Sequence, residues 1–102
     1  MHIVLTATAI PDHLHGYLSR FLSEVDAGVY VGNTSPPVME RLWERCLHAR
    51  ITGSMTLIFT TPDTEQGYAI RTNGPHRRAV VDLDGAWLIA TRHPLPEADE
   101  RA

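Results

Sequence analysis

The chain contains no lysine: all nine basic residues are arginine, against twelve acids, for a formal net charge of −3 over 102 residues. That balance excludes a generally basic nucleic-acid binder, so any grip on phosphate has to come from a local patch. Cysteine is almost as scarce, and the single Cys46 has neither an internal disulfide partner nor a neighbour at metal-ligand spacing. No run reaches the roughly 18 apolar residues needed to span a bilayer. His2 stands where a secretory leader would carry Lys or Arg. A cytoplasmic protein with no membrane partner is expected. The length suits one domain, and no internal repeat or low-complexity tract divides it. Pro94–Ala102 holds three acids against one arginine, which leaves eight arginines and nine acids, a balance of −1, over the preceding 93 residues. A folded domain over 1–93 and a flexible acidic tail over 94–102 are therefore expected.

His2–Thr8 has apolar residues on both faces, as an interior strand covered on one side by helices would have. Pro11-Asp12 opens a helix, because proline suits the first helical positions and Asp the positive end of the dipole. Leu14, Leu18, Phe21, Leu22 and Val25 continue one helical stripe that Ala27-Gly28 ends. A short strand over Val29–Val31, closed by Gly32-Asn33, leads to Thr34 or Ser35 as cap of a second helix with Pro36-Pro37 in its first turn. Val38, Leu42, Cys46 and Ala49 line one face of that helix, with Met39, Trp43 and Leu47 beside them. Strands are expected over Ser54–Thr61, Gly67–Asn73 and Ala86–Thr91. This order, β-α-β-α-β-β plus a terminal strand, predicts an α+β sandwich of ferredoxin-like type, a mainly antiparallel sheet with two helices on one face. The other face of the sheet would be bare, and a homodimer across it is the economical way to cover it.

The densest chemistry lies in Asn73–Gly85, where Gly74-Pro75 and Asp84-Gly85 mark turns around Arg77, Arg78 and an apolar alternating run. Adjacent side chains of an extended segment point opposite ways, so at most one of the two arginines can lie flat against a core. A guanidinium donates two parallel hydrogen bonds to a phosphate. The competing reading is solvation, or pairing with Asp82, Asp84 or Glu65. The histidines do not form a metal site: His13 and His15 diverge by about 200° on a helix, and His48, His76 and His93 lack a Cys or His at ligand spacing. A Mg²⁺-dependent nuclease needs carboxylates at the end of the first strand, but that end reads Thr6-Ala7-Thr8-Ala9, with no acid before Asp12. Asp63, Asp82 and Asp84 fall in loops. Ser19, Ser23 and Cys46 have no base at a recognisable spacing.

Several stretches together resemble the small CRISPR-associated adaptation protein, the "Cas-two" family, in its type I-E form. The resemblance is carried by the first strand through Ile10-Pro11, by Glu24–Asn33 with its AGVYVG run, by Met39–Glu44 and Thr64–Tyr68, and by Asn73–Gly85 with its VVDLDG run. It implies a ferredoxin-like homodimer that bridges two dimers of a partner integrase, "Cas-one", and holds duplex DNA during spacer acquisition in antiviral defence. The chemistry would belong to the partner, and scaffolding would need no cofactor. The paired arginines of the family motif fall on Arg77 and Arg78, beside His76. Two further basic positions fall on His13 and His15, where neutral rings would weaken the grip. Leu83, Asp84, Leu88 and Ile89 would contribute to the integrase surface. Many members are described as metal-dependent endonucleases acting on single-stranded RNA or duplex DNA. Their first-strand acid falls on Thr8, so the resemblance leaves open whether this chain is an enzyme; Mg²⁺ would matter only if it were.

Overall fold

The computed structural model describes residues 1–83 and 86–90. Its elements are β1 (His2–Thr8), α1 (Asp12–Leu18), β2 (Ser23–Asp26), β3 (Val29–Asn33), α2 (Pro36–His48), β4 (Ser54–Thr60), β5 (Tyr68–Asn73), β6 (Ala79–Leu83) and β7 (Ala86–Ala90). The first five strands form one sheet in the order β2-β3-β1-β4-β5, and β6 and β7 pair as a separate hairpin. Every neighbouring pair is antiparallel. With two helices, this is the expected α+β, ferredoxin-like arrangement.

β1 lies at the centre with Ile3, Leu5 and Ala7 buried on one face, while His2, Val4, Thr6 and Thr8 are exposed on the other, which is less apolar than an interior strand was expected to be. On the helix side, Leu5 stands opposite Tyr30 of β3 and Leu57 of β4, and all three are buried with Ile3, Ala7, Met55 and Phe59. α1 contributes Leu14 and Leu18 to this core, and α2 contributes Met39, Leu42, Trp43 and Cys46. Truncating a buried leucine such as Leu42 to Ala would cost about 2–5 kcal/mol. On the other face Val4 is paired with Val31 and Ile58, and Ile58 with Ile70, so an apolar row crosses the sheet.

The first helix is shorter than its stripe predicts. It ends at Leu18 and gives way to turns closed by Phe21 N–H to Leu18 O and Leu22 N–H to Leu18 O. Leu22 is still buried, but Phe21 and Val25 are exposed, and Val25 belongs to β2, an added edge strand. The misleading signal is a coincidence of spacing: Ser23-Glu24-Val25-Asp26 alternates as a strand, while Val25 also sits at a helical offset. The tight return into β3 depends on Gly28. Its φ is 73°, and a Cβ there would meet Ala7 O at 2.3 Å. On α2, Ser35 occupies the N-cap without a side-chain hydrogen bond, and Leu47, placed in the second apolar row, is exposed. β3 extends through Gly32-Asn33, and β6 is a further strand absent from the expected order. Asp84, the Asp84-Gly85 turn, Thr91, His93 and the segment 94–102 lie outside the described residues.

At the β5 edge, Arg71 stacks 4.9 Å from the Phe59 ring centroid and donates to both carboxylate oxygens of Glu40, at 2.8 and 2.9 Å. This fork ties β5 to α2. The bond from Arg71 holds the Glu40 carboxyl below its usual 4.5. Both side chains are partly solvated, so the pair is worth about 0–1 kcal/mol. Because the folded carboxyl titrates lower than the unfolded one, this increment is complete above about pH 4.5 and is lost as pH falls through the folded value. Urea midpoints should therefore separate wild type from Glu40→Gln at neutral pH and converge as the pH is lowered through the folded carboxyl's value.

Candidate functional site

The antiparallel order brings several loops to one end of the sheet. β1 ends there, β4 begins there opposite it (Thr8↔Ser54), and β5 ends there opposite Met55. The first turn of α1 and the loop 74–78 therefore lie at this end, together with the Ala27-Gly28 turn. His13, His15, His76, Arg77 and Arg78 are thus placed at one end of the molecule by topology.

The arginine loop is fixed by backbone. Gly74 is buried with φ 103°, and a Cβ on it would stand 2.6 Å from Gly53 O. That same carbonyl accepts the His76 N–H at 3.1 Å, and the Arg77 N–H bonds to Gly74 O at 3.2 Å. Asn73 secures the strand end by donating to Cys46 O at 3.1 Å. Past this anchor His76, Arg77 and Arg78 are all exposed. The Arg77 Nη1 folds back onto Gly74 O at 3.0 Å. Arg78 has no hydrogen-bond or ion-pair partner among the described residues. The only ion pair among those residues is Arg71–Glu40, so neither loop arginine is paired with a described carboxylate.

The two histidines of α1 have different surroundings. His13 is exposed, whereas the half-buried His15 shares a hydrogen bond through Nδ1 with the hydroxyl of Tyr30. Tyr30 is fully buried in the core; burial, and secondarily the Glu24 carboxylate, push its phenol above 10. The phenol therefore stays neutral, and its polar tip is satisfied by His15. This leaves His13 as the freer of the two rings.

At the end of β1, Thr8 Oγ1 lies 3.2 Å from Ser54 Oγ and accepts the Ser54 N–H at 3.2 Å. Two mutually bonded hydroxyls do not fit Mg²⁺, which needs carboxylate ligands. Asp12 is four positions on, exposed in the first turn of α1. No group of three or more His, Cys, Asp or Glu residues able to hold a metal ion occurs among the described residues. Burial pushes the Cys46 thiol up to about 12, so it offers no thiolate at neutral pH.

The hairpin has two unlike faces. Val80, Asp82, Trp87 and Ile89 share one, and Trp87 packs against the core. Gln66 holds β7 in place, accepting the Trp87 N–H at Oε1 and donating Nε2 to Trp87 O at 3.2 Å. Ala79, Val81, Leu83, Ala86, Leu88 and Ala90 share the other face, on which Leu83 and Leu88 are about half exposed. Of the residues expected at a partner surface, Leu83 and Leu88 thus lie on this outward face and Ile89 on the inward one.

Residue pattern marks the Gly74-Pro75 turn but not its anchor. Gly53 reads only as a residue beyond a helix, although its missing Cβ is what admits Thr8 O, 2.2 Å from where that carbon would be. Gly74→Ala should cost about 2 kcal/mol or more, from positive φ and the clash. Two-dimensional amide spectra should show the largest displacements at Gly53 and at His76–Arg78; unchanged shifts there would refute the anchor.

A model of one family, described as CRISPR-associated protein (Cas_Cas2CT1978), matches residues 1–88. The match takes in the core, the end of β1 and the arginine loop. No helix among the described residues is long and apolar enough to cross a membrane.

Proposed function

The chain belongs to this CRISPR-associated Cas2 family, and on that premise we propose that it is a non-catalytic architectural subunit of a type I-E adaptation complex. In this role it holds duplex DNA by its backbone during spacer acquisition. The observation that carries the reading is the arginine loop: Arg77 and Arg78 are exposed, unpaired with any described carboxylate, and held on a backbone anchor that fixes their position. Exposed guanidiniums on a fixed backbone, Arg77 with one nitrogen on Gly74 O and Arg78 without a described partner, suit phosphate contact without base readout. His13 and His76 lie at the same end and would add polar contacts, with His15 behind them on Tyr30.

Two surfaces support an assembly. The accessible part of the apolar row, Val31–Val4–Ile58, suits a second copy of the chain across the sheet face, while Ile70 is already buried within the chain. The outward face of the hairpin, with Leu83 and Leu88, suits an integrase dimer on either side of that pair. Chain assembly of this kind would let a molecule of net charge −3 bind DNA through a few local cations.

The alternative is a metal-dependent endonuclease of the same family, acting on single-stranded RNA or duplex DNA. The residue at the end of β1 speaks against it, since Thr8 brings a hydroxyl bonded to Ser54 where that activity requires a carboxylate. Mixed with the integrase, the Arg77→Ala/Arg78→Ala chain should bind duplex more weakly. Its log-log salt slope should flatten by about 0.9 for each phosphate no longer neutralised, and spacer acquisition should fall. Duplex binding like that of the wild type would remove the arginines from the role. Thr8→Ala should leave any measured cleavage unchanged, whereas a metal-dependent cleavage abolished by this change would return Thr8 to a catalytic site.

A further inference from the structure

Tyr30 is buried completely in the core, yet its phenol brings there one O–H donor that has to be used. It stands in β3 opposite Leu5 of β1 and reaches across to α1, where its ring lies 6.0 Å from that of His15 at a tilt of 38°. His15 Nδ1 is its sole hydrogen-bond partner among the described residues. Burial, and after it the Glu24 carboxylate, keep the phenol protonated, so the proton is there to donate. An unsatisfied donor in an apolar interior costs more than a made bond gains, and a lone pair on Nδ1 is what can take this one. Were Nδ1 to carry hydrogen instead, the phenol oxygen would accept it and the phenol's own hydrogen would have no described acceptor. The neutral His15 ring therefore carries its proton on Nε2.

That nitrogen reaches solvent. The ring is half-buried and Nε2 has no hydrogen-bond partner among the described residues, yet the one buried side-chain atom left without a partner among them is Thr34 Oγ1. Two other histidines show what the arrangement adds. His48 Nδ1 lies 2.8 Å from Glu44 O, and a carbonyl can only accept, so the proton of that ring sits on Nδ1. His13 is exposed without a described partner, so nothing fixes its ring. His15 combines an inward acceptor with an outward donor on a ring that the core holds still.

We propose that Tyr30 is a positioning residue: its buried hydroxyl locks the His15 ring so that Nε2–H faces outward, as a hydrogen-bond donor for a phosphate oxygen at the arginine-loop end of the sheet. The phosphate rests on the duplex role proposed above, whereas the locked ring does not. A neutral N–H releases no counterion, so this contact adds affinity that salt does not remove, unlike that of Arg77 and Arg78. Direction replaces charge at this position.

The ring is read directly in long-range proton–nitrogen spectra of the nitrogen-labelled full chain at about pH 8.5, well above the ordinary histidine value of about 6.5. His15 should show Nε2–H alone, His48 should be weighted to Nδ1–H, and His13 should average the two forms. In Tyr30→Phe the His15 signals should move to the averaged pattern of His13. The second measurement titrates a labelled duplex into the chain mixed with the integrase. His15→Asn, whose amide can still meet Tyr30 but presents nothing outward, should bind at least about twofold more weakly with an unchanged salt slope, the lower end of what one neutral hydrogen bond gives. His15→Gln, whose amide nitrogen reaches the place of Nε2, should bind as wild type. A His15 ring protonated on Nδ1, or one whose signals ignore Tyr30→Phe, overturns the positioning and leaves the role of the arginine loop untouched. Wild-type affinity in His15→Asn overturns the phosphate contact. Should Tyr30→Phe not fold, the wild-type spectrum and the two His15 variants still decide it. A wild-type chain that shows the locked ring but binds no duplex with the integrase removes the duplex role itself, and the phosphate contact with it.

Discussion

Backbone crowding at the exit of the central strand governs the arrangement of this molecule. Ala7 N–H bonds to Gly28 O at 2.7 Å, so the β2–β3 turn rests on the end of β1. One residue later, Thr8 O presses on Gly53, and Gly53 O in turn presses on Gly74 and takes the His76 N–H. Four segments far apart in sequence meet there at distances that no side chain would permit. The loop bearing Arg77 and Arg78 is therefore positioned by main chain, the least compliant part of a protein, and not by side-chain packing that could relax.

The three surfaces of the fold have different physical characters. The open sheet face is a band of β-branched residues, which suits flat apolar contact. The helical face carries stacked guanidiniums and rings. The end of the sheet carries cations on a rigid support. Their separation follows from the strand order: with β1 central, its inward residues are buried by α1 and α2, its outward ones form the band, and its exit gathers the loops. A chain with almost balanced charge can in this way present cations locally without being basic as a whole.

Much of this was legible from residue pattern. Alternation in β1, β4 and β5 and the apolar arc of α2 needed only periodicity, and Gly74-Pro75 announced its turn. The fold class followed from element order, even though β2 and β6 were missing from that order. The miss at β2 has a definite cause: Val25 satisfies a helical offset and a strand alternation together, and only the pairing of Ser23, Glu24 and Asp26 with β3, with Val25 at the irregularity between them, decides between the two. The anchor at Gly53 was invisible because a glycine needed for close approach looks in sequence like any loop glycine. The exposed Phe21 was misassigned for the opposite reason, since it completed an apolar stripe that the chain abandons three residues earlier.

The hairpin of β6 and β7 is tied to the rest of the molecule differently from every other strand. It shares no ladder with the five-stranded sheet and is held by the amide of Gln66 and the packing of Trp87. A glutamine amide imitates one peptide unit, so this junction amounts to a single rung. The pairings of the five-stranded sheet are therefore complete without the hairpin. Among the described residues, a pull on β6 or β7 would reach the folded centre through side chains and not through backbone hydrogen bonds shared between strands.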